Sequence, residues 1–166
     1  MKTKRLQSVM LSAMGIFFTL FFFQCSSSKK SADLDTGDVK NMIDNKAFVF
    51  VAERMTPLRG RTRHLTSEYD VRINRDSLVS YLPYFGRAYQ APMNPSEGGI
   101  QFTSTNFSYD VNTGNNKEWS IEIKPKDRPD IQQLSFSIFE NGSATLNITS
   151  TYKDPISFSG TVQKIK

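Results

Sequence analysis

Leu134-Ser-Phe-Ser-Ile-Phe-Glu-Asn-Gly-Ser-Ala-Thr-Leu-Asn-Ile148 decides the architecture of this chain. Leu134, Phe136 and Ile138 fall on one parity, and Ala144, Leu146 and Ile148 resume it after Asn141-Gly142. Apolar residues at every second position make a strand with one face on a core. Asn-Gly between two such runs suits a tight hairpin turn, because both residues tolerate positive φ. The stretch therefore folds back on itself as an antiparallel pair.

The same period extends in both directions. Toward the N-terminus come Trp119, Ile121 and Ile123, then Phe107, Tyr109 and Val111, then Ile100 and Phe102. The last two sets have opposite parity, so they share a face only if a bulge at Thr103 to Asn106 re-phases the chain. Leu65, Tyr69, Val71 and Ile73 alternate with polar partners, and Phe48-Val-Phe-Val51 reads as a run buried on both faces. Asn74 to Ser77 reads as a turn between two strands. Toward the C-terminus follow Ile156, Phe158 and Val162. Asn112 to Asn116 is turn chemistry, and Pro125, Pro129 and Pro155 lie between runs. Before the strands, Val39, Met42 and Ile43 recur at helical spacing behind Thr36 or Asp38 as cap. The expectation is a mainly β domain, an antiparallel meander of seven or eight strands forming a sandwich or small barrel, with one short N-terminal helix.

Composition narrows the function. The 166 residues leave room for one domain and a targeting segment, and 38% hydrophobic residues supply a core. Lys2, Lys4 and Arg5 account for +3 of the net +5, leaving +2, a surplus too small for a nucleic-acid binder. One Cys and one His leave no disulfide framework and too few ligands for a zinc site, so no metal and no cofactor is expected.

The N-terminus has the parts of a secretory signal: a basic start, an apolar stretch to Phe23, then Gln24-Cys25-Ser-Ser-Ser-Lys-Lys30. With the sole Cys right behind the apolar stretch, the segment resembles a bacterial lipoprotein signal. That resemblance implies cleavage before Cys25 and lipidation of its sulfur with palmitate-class acyl chains. Gln24 departs from the small residue such signals carry before the Cys. An uncleaved anchor helix is the alternative, since the apolar stretch approaches the roughly 18 residues that can span a bilayer; an ordinary signal with an incidental Cys is a third. The expected division is signal peptide 1–24, lipidated Cys and tether 25–35, and a single domain 36–166. No acidic cluster follows Cys25, which favours an outer-membrane protein facing the periplasm over one exported to the cell surface.

Leu82-Pro-Tyr-Phe-Gly-Arg-Ala-Tyr-Gln-Ala-Pro92, with Gly99-Ile-Gln-Phe102 and Phe107-Ser-Tyr109, resembles the signature of a lipoprotein family of Bacteroides and its relatives, domain of unknown function 4251. The likeness continues through Trp119 to Ile123, Asn141 to Ala144 and Ile156 to Gly160. It implies an envelope location and a lipid anchor, and carries no activity with it.

Two loops stand out as candidate binding sites. Tyr84, Phe85 and Tyr89 surround Gly86-Arg87 between Pro83 and Pro92, so rings and a guanidinium could stack a sugar, a peptide aromatic or an anion. The competing structural reading makes these rings, Phe85 foremost, a plug on the core. Arg54, Arg59, Arg61, Arg63 and His64 fall within eleven residues, the densest positive patch outside the signal, and Pro57 and Gly60 place it in a loop. Arginine presents a fork that fits phosphate or carboxylate; the competing reading is a solvated loop balanced by Glu53, Glu68 and Asp70. His64 has no second ligand, and pairing it with Ser67 is one of many pairs a Ser-rich chain permits. Glu68, Asp70 and Glu122 show no readable carboxylate pair, so no catalytic residue is assigned and the domain is read as non-enzymatic. Asp76-Ser77-Leu78 matches an envelope O-glycosylation acceptor, with Ser77 as the modified residue; it is also a plain turn.

The functional expectation is an envelope lipoprotein that binds an envelope protein or glycan ligand, held to the membrane by its lipid. The alternative is a structural or accessory subunit of an envelope assembly. A deep apolar pocket favours the first, an exposed hydrophobic patch the second.

Overall fold

Alternation carries almost all of this structure, a computed structural model that describes residues 36–89, 98–114 and 118–165. Among the described residues one helix, α1 (Thr36–Asp44), precedes nine strands: β1 (Phe48–Pro57), β2 (Arg63–Ile73), β3 (Leu78–Leu82), β4 (Ile100–Ser104), β5 (Phe107–Thr113), β6 (Glu118–Pro125), β7 (Ile131–Phe139), β8 (Ser143–Ser150) and β9 (Ile156–Gln163). They form one antiparallel sheet in the order β4-β3-β2-β1-β9-β8-β7-β6-β5. The count is nine against the expected seven or eight.

Closure of the sheet follows from its order. Neighbouring strands alternate in direction, so an odd number leaves the outermost two, β4 and β5, running the same way. Only Thr105 and Asn106 join them, a link of roughly 7 Å at full extension. They are therefore two halves of one kinked strand, the first paired with β3 and the second with β6. The sheet must curl into a nearly closed barrel for both pairings to hold.

The kink also re-phases the side chains. Ile100, Phe102 and Ser104 face inward before it, and Phe107 and Tyr109 pack on the same core after it. Asp127 secures the junction: its carboxylate accepts from the Ser104 hydroxyl and from the Thr105 N–H at 3.0 Å, while the Asn106 carbonyl accepts from the Lys126 N–H at 2.7 Å. The bond from Ser104, and after it that from Thr105, holds the Asp127 carboxyl below its usual range.

Phe136 sits at the centre of the core, edge-on to Phe48 (5.9 Å between centroids) and to Phe50 (5.7 Å). Buried polar groups are few and satisfied: the Ser80 hydroxyl of β3 donates to the Ile100 carbonyl at 2.8 Å. Val49 and Val51, expected to be buried with Phe48 and Phe50, are only half-buried on the outer face of β1.

Two further details differ from the sequence reading. The β7–β8 connection is a three-residue loop, with Gly142 N–H bonded to the Phe139 carbonyl at 2.9 Å and Gly142 at φ 78°, so the glycine sits in the left-handed position after a turn rather than inside a two-residue one. Glu53 is an extra residue in β1, and opposite this bulge Gly160 of β9 pairs with Ala52. A Cβ on Gly160 would run into the Val51 carbonyl, so only glycine lets β9 approach there.

Helix α1 covers one end of the barrel with buried Val39, Met42 and Ile43. Lys164, past β9, pairs with Asp38 at 2.8 Å, and Arg75 of the β2–β3 turn donates to Asn45 at 3.2 Å. From β5 the Tyr109 hydroxyl donates to the Ile43 carbonyl at 3.1 Å, and burial pushes that phenol far above its usual range. The helix ends with Lys46 at φ 52° and the Ala47 N–H on the Met42 carbonyl, which closes its last carbonyls without a glycine. The chain thus enters the barrel at the α1 end, and the β1–β2, β3–β4, β6–β7 and β8–β9 connections gather at the other.

Candidate functional site

Pro83 cannot donate to a ladder and ends β3, and the chain from Pro83 to Tyr89 crosses the loop end with its strand-like pairing confined to a bridge at Ala88. Pro83 is buried. Tyr84 is half-buried; its hydroxyl lies 2.8 Å from the Arg87 carbonyl and 3.1 Å from that of Asp154, sharing one proton between them. Phe85 turns outward and is 50% exposed, which corrects the expectation that it plugs the core. Tyr89 is 65% exposed, yet its hydroxyl donates to the Asp154 carboxylate.

Asp154 organises this loop, and among the described residues it is the buried charged side chain. Its N–H donates to the Arg87 carbonyl at 3.0 Å, the Tyr89 N–H donates to the Tyr152 carbonyl at 2.8 Å, and Ala88 bridges to Lys153. Lys153 places its ammonium 5.1 Å from the Tyr84 ring centre and donates to the Gly99 carbonyl at 2.6 Å. The aromatic loop is thus laced to the β8–β9 connection along its length. Burial and then the Asp154 charge push the Tyr84 phenol up; the bond to Asp154 and then its charge push up Tyr89. Both phenols stay protonated at neutral pH and serve as donors.

The two loops that the sequence marks separately meet here. Gly60 at φ 131° turns the β1–β2 loop, which presents exposed Leu58, Arg59 and Arg61, with exposed Arg63 following as the first residue of β2. The Arg63 guanidinium lies 5.2 Å from the Phe85 ring centre, and that of Arg87 lies 6.0 Å from Tyr89. Arg59 is near enough to Tyr89 to oppose the rise of its pKa. Among the described residues, none of Arg59, Arg61, Arg63 and Arg87 has a carboxylate within ion-pair reach. Tyr152, 43% exposed, adds a further ring.

The remaining candidates lie elsewhere. Arg54 donates to the Ser159 hydroxyl at 3.2 Å, and His64 stands opposite it in the ladder. Glu68 and Asp70 wall a depression of about 480 Å³ over Val49 and Val51 on the outer face, with Asp70 paired to Arg72 at 2.8 Å. Glu122 pairs with Lys124 at 3.3 Å. Ser77 is half-buried in the turn at the α1 end, where Asn74 donates to its hydroxyl at 3.3 Å. Cys25 lies outside the described residues.

Sequence reasoning missed Asp154, Tyr152 and Leu58. Nothing in Tyr152-Lys-Asp-Pro155 distinguishes a buried carboxylate from a solvated one until the aromatic loop is folded over it.

The fold and its loop end define a class: a small, nearly closed antiparallel barrel, filled by its own side chains, that carries an arginine- and aromatic-rich surface at one end. The chain belongs to the DUF4251 family, a domain of unknown function, whose sequence signature matches residues 30–162. It is similar to the crystal structure of a DUF4251 family protein from Bacteroides eggerthii DSM 20697, with a TM-score of 0.57 and 16% identity over 78% of this chain and 87% of that one. At that identity the likeness shows the fold. No curated protein matches the chain.

Proposed function

We propose that this protein is a non-enzymatic lipoprotein of the bacterial cell envelope that binds a partner through the surface formed by Leu58, Arg59, Arg63, Phe85, Arg87 and Tyr89. The observation that carries the reading is the meeting of the two loops: guanidiniums with no carboxylate in ion-pair reach among the described residues lie beside rings that expose half or more of their area. Leaving apolar rings in water outside the core costs free energy until a partner covers them, so such patches mark interaction sites. Packing of Phe48, Phe50 and Phe136 in the barrel interior supports a surface rather than an internal pocket as the place of binding.

The address rests on the N-terminal sequence. Lipidation at Cys25 ties the protein to the membrane, in the outer membrane facing the periplasm, and the tether joins the domain at α1, the end away from the patch. The second reading, an accessory subunit of an envelope assembly, is favoured by the same feature, since an exposed patch suits a protein contact better than a small ligand.

The test is capture from envelopes by the lipidated protein. Wild type is expected to retain a partner that Phe85→Ala/Tyr89→Ala loses although the variant, with a lowered melting temperature, is still folded at the temperature of the assay. Equal retention by the double variant, or no retention by wild type, would remove the patch from the function.

A further inference from the structure

Resting on that reading, we infer that the occupant of the loop-end surface is an acidic face of another protein, which this domain grips with guanidiniums set beside aromatic rings. The charge sets the sign. Arg59, Arg61, Arg63 and Arg87 gather at one end, with no carboxylate in ion-pair reach among the described residues. Asp154, the acid beneath them, is buried and already accepts the Tyr89 hydroxyl. Unpaired like charges in one place are unfavourable alone and become favourable against carboxylates.

The arrangement of the arginines selects the class of partner. A guanidinium held near a ring by cation–π attraction still has its N–H groups to give, so Arg63 by Phe85 and Arg87 by Tyr89 present forks that match carboxylates two bonds at a time. Arg, Tyr and Phe with little Lys is the composition of energetically important protein contacts. A membrane surface is met instead by lysine-flanked apolar segments.

Size and rigidity agree. Phe85, Tyr89 and Tyr152 together expose roughly 300 Å². Exposed Leu58 and the four exposed arginine side chains extend the patch toward the roughly 800 Å² that one side of an ordinary protein interface buries. The hydrogen bonds that lace the loop to Lys153 and Asp154 fix the rings before binding, so little ordering is left for the partner to impose.

The experiment places a photo-crosslinking side chain at position 85 of the full lipidated protein in cells, with position 111 of β5 as the exposed control. A discrete protein adduct is expected at 85 and not at 111. The adduct's protein, purified, should bind about tenfold or more weakly to Arg59→Glu/Arg63→Glu. Acid-to-lysine changes on its contacting face should restore that loss, and rising salt should weaken the wild-type complex. A glycan or lipid adduct at 85, or a partner whose binding ignores both charge reversal and salt, overturns the acidic-protein inference and leaves the binding surface standing. The same adducts at both positions, or none at 85, overturn both.

Discussion

Replacing Phe85 with Ala tests whether the aromatic motif faces outward. Complete burial of a Phe is worth about 1.5–3 kcal/mol. With half its surface still in water, Phe85 retains about 1 kcal/mol of that, and its contact with Arg63 adds roughly 0.5–1 kcal/mol at an exposed site. No cavity forms, because solvent already reaches the ring. Phe85→Ala should therefore cost about 1–2 kcal/mol. Phe136 is the reference: it is 1% exposed and edge-on to two other rings, so its removal leaves a dry cavity and should cost about 4–5 kcal/mol. Urea unfolding of residues 31–166 with matched m-values measures both. A loss of 3 kcal/mol or more at Phe85, or losses equal at the two positions, would show that Phe85 closes the core after all.

Gly160→Ala places a Cβ against the Val51 carbonyl at the β1 bulge and should lower stability by about 3 kcal/mol, read as a fall in Tm; an unchanged Tm would mean that β1 and β9 separate there at little cost. Tyr109→Phe removes the bond to the Ile43 carbonyl and should cost about 1 kcal/mol at neutral pH. Tyr109 holds its proton in the folded state to a higher pH than in the unfolded chain, where it leaves near pH 10. Stability should thus be full below about pH 10 and fall above it, less steeply in Tyr109→Phe; identical alkaline slopes would remove Tyr109 from that loss. Cys25→Ser should release the protein from the membrane fraction and end fatty-acid labelling. Membrane retention with Met1 still present would establish the anchor helix instead.

Alternation was enough to read β7, β8, β9, β6 and the end of β2, because each puts apolar residues at every second position on the barrel's inside. It understated β3, whose inward residues are Leu78, Ser80 and Leu82; a serine that bonds the Ile100 carbonyl looks like a break in the pattern until the neighbouring strand is in place. The parity change between Phe102 and Phe107 announced a bulge, but not that the bulge is the closure. That depends on β3 and β6 both claiming the same strand, a relation between segments far apart in sequence. The candidate site was legible as two loops and not as one surface. What joins them is Asp154, Arg63 and Phe85, three residues whose proximity is set by the barrel's curvature. The outward turn of Phe85 was equally hidden, since Pro83 and Tyr84 take the inward positions that the aromatic content of the motif suggested for Phe85.

The way the barrel closes restricts where it can recognise anything. Its interior is filled by rings in mutual contact, so a ligand inside would have to displace Phe136 or its neighbours. Along most of the sheet each strand is paired on both sides, because the first and last strands, β1 and β9, pair with each other and the kinked β4–β5 strand spans the remaining gap; strand addition therefore has little edge to use. Helix α1 takes one end. The loop end is where side chains remain uncommitted to the core, and there the chain spends structure on holding them still: a buried carboxylate, a strand-like bridge at Ala88 and two tyrosine hydroxyls fix a loop whose own outward side chains touch mostly water. Rigidity of that kind does little for the stability of a barrel already closed. It lowers the entropy that binding must remove, which is the reason to expect recognition at this end.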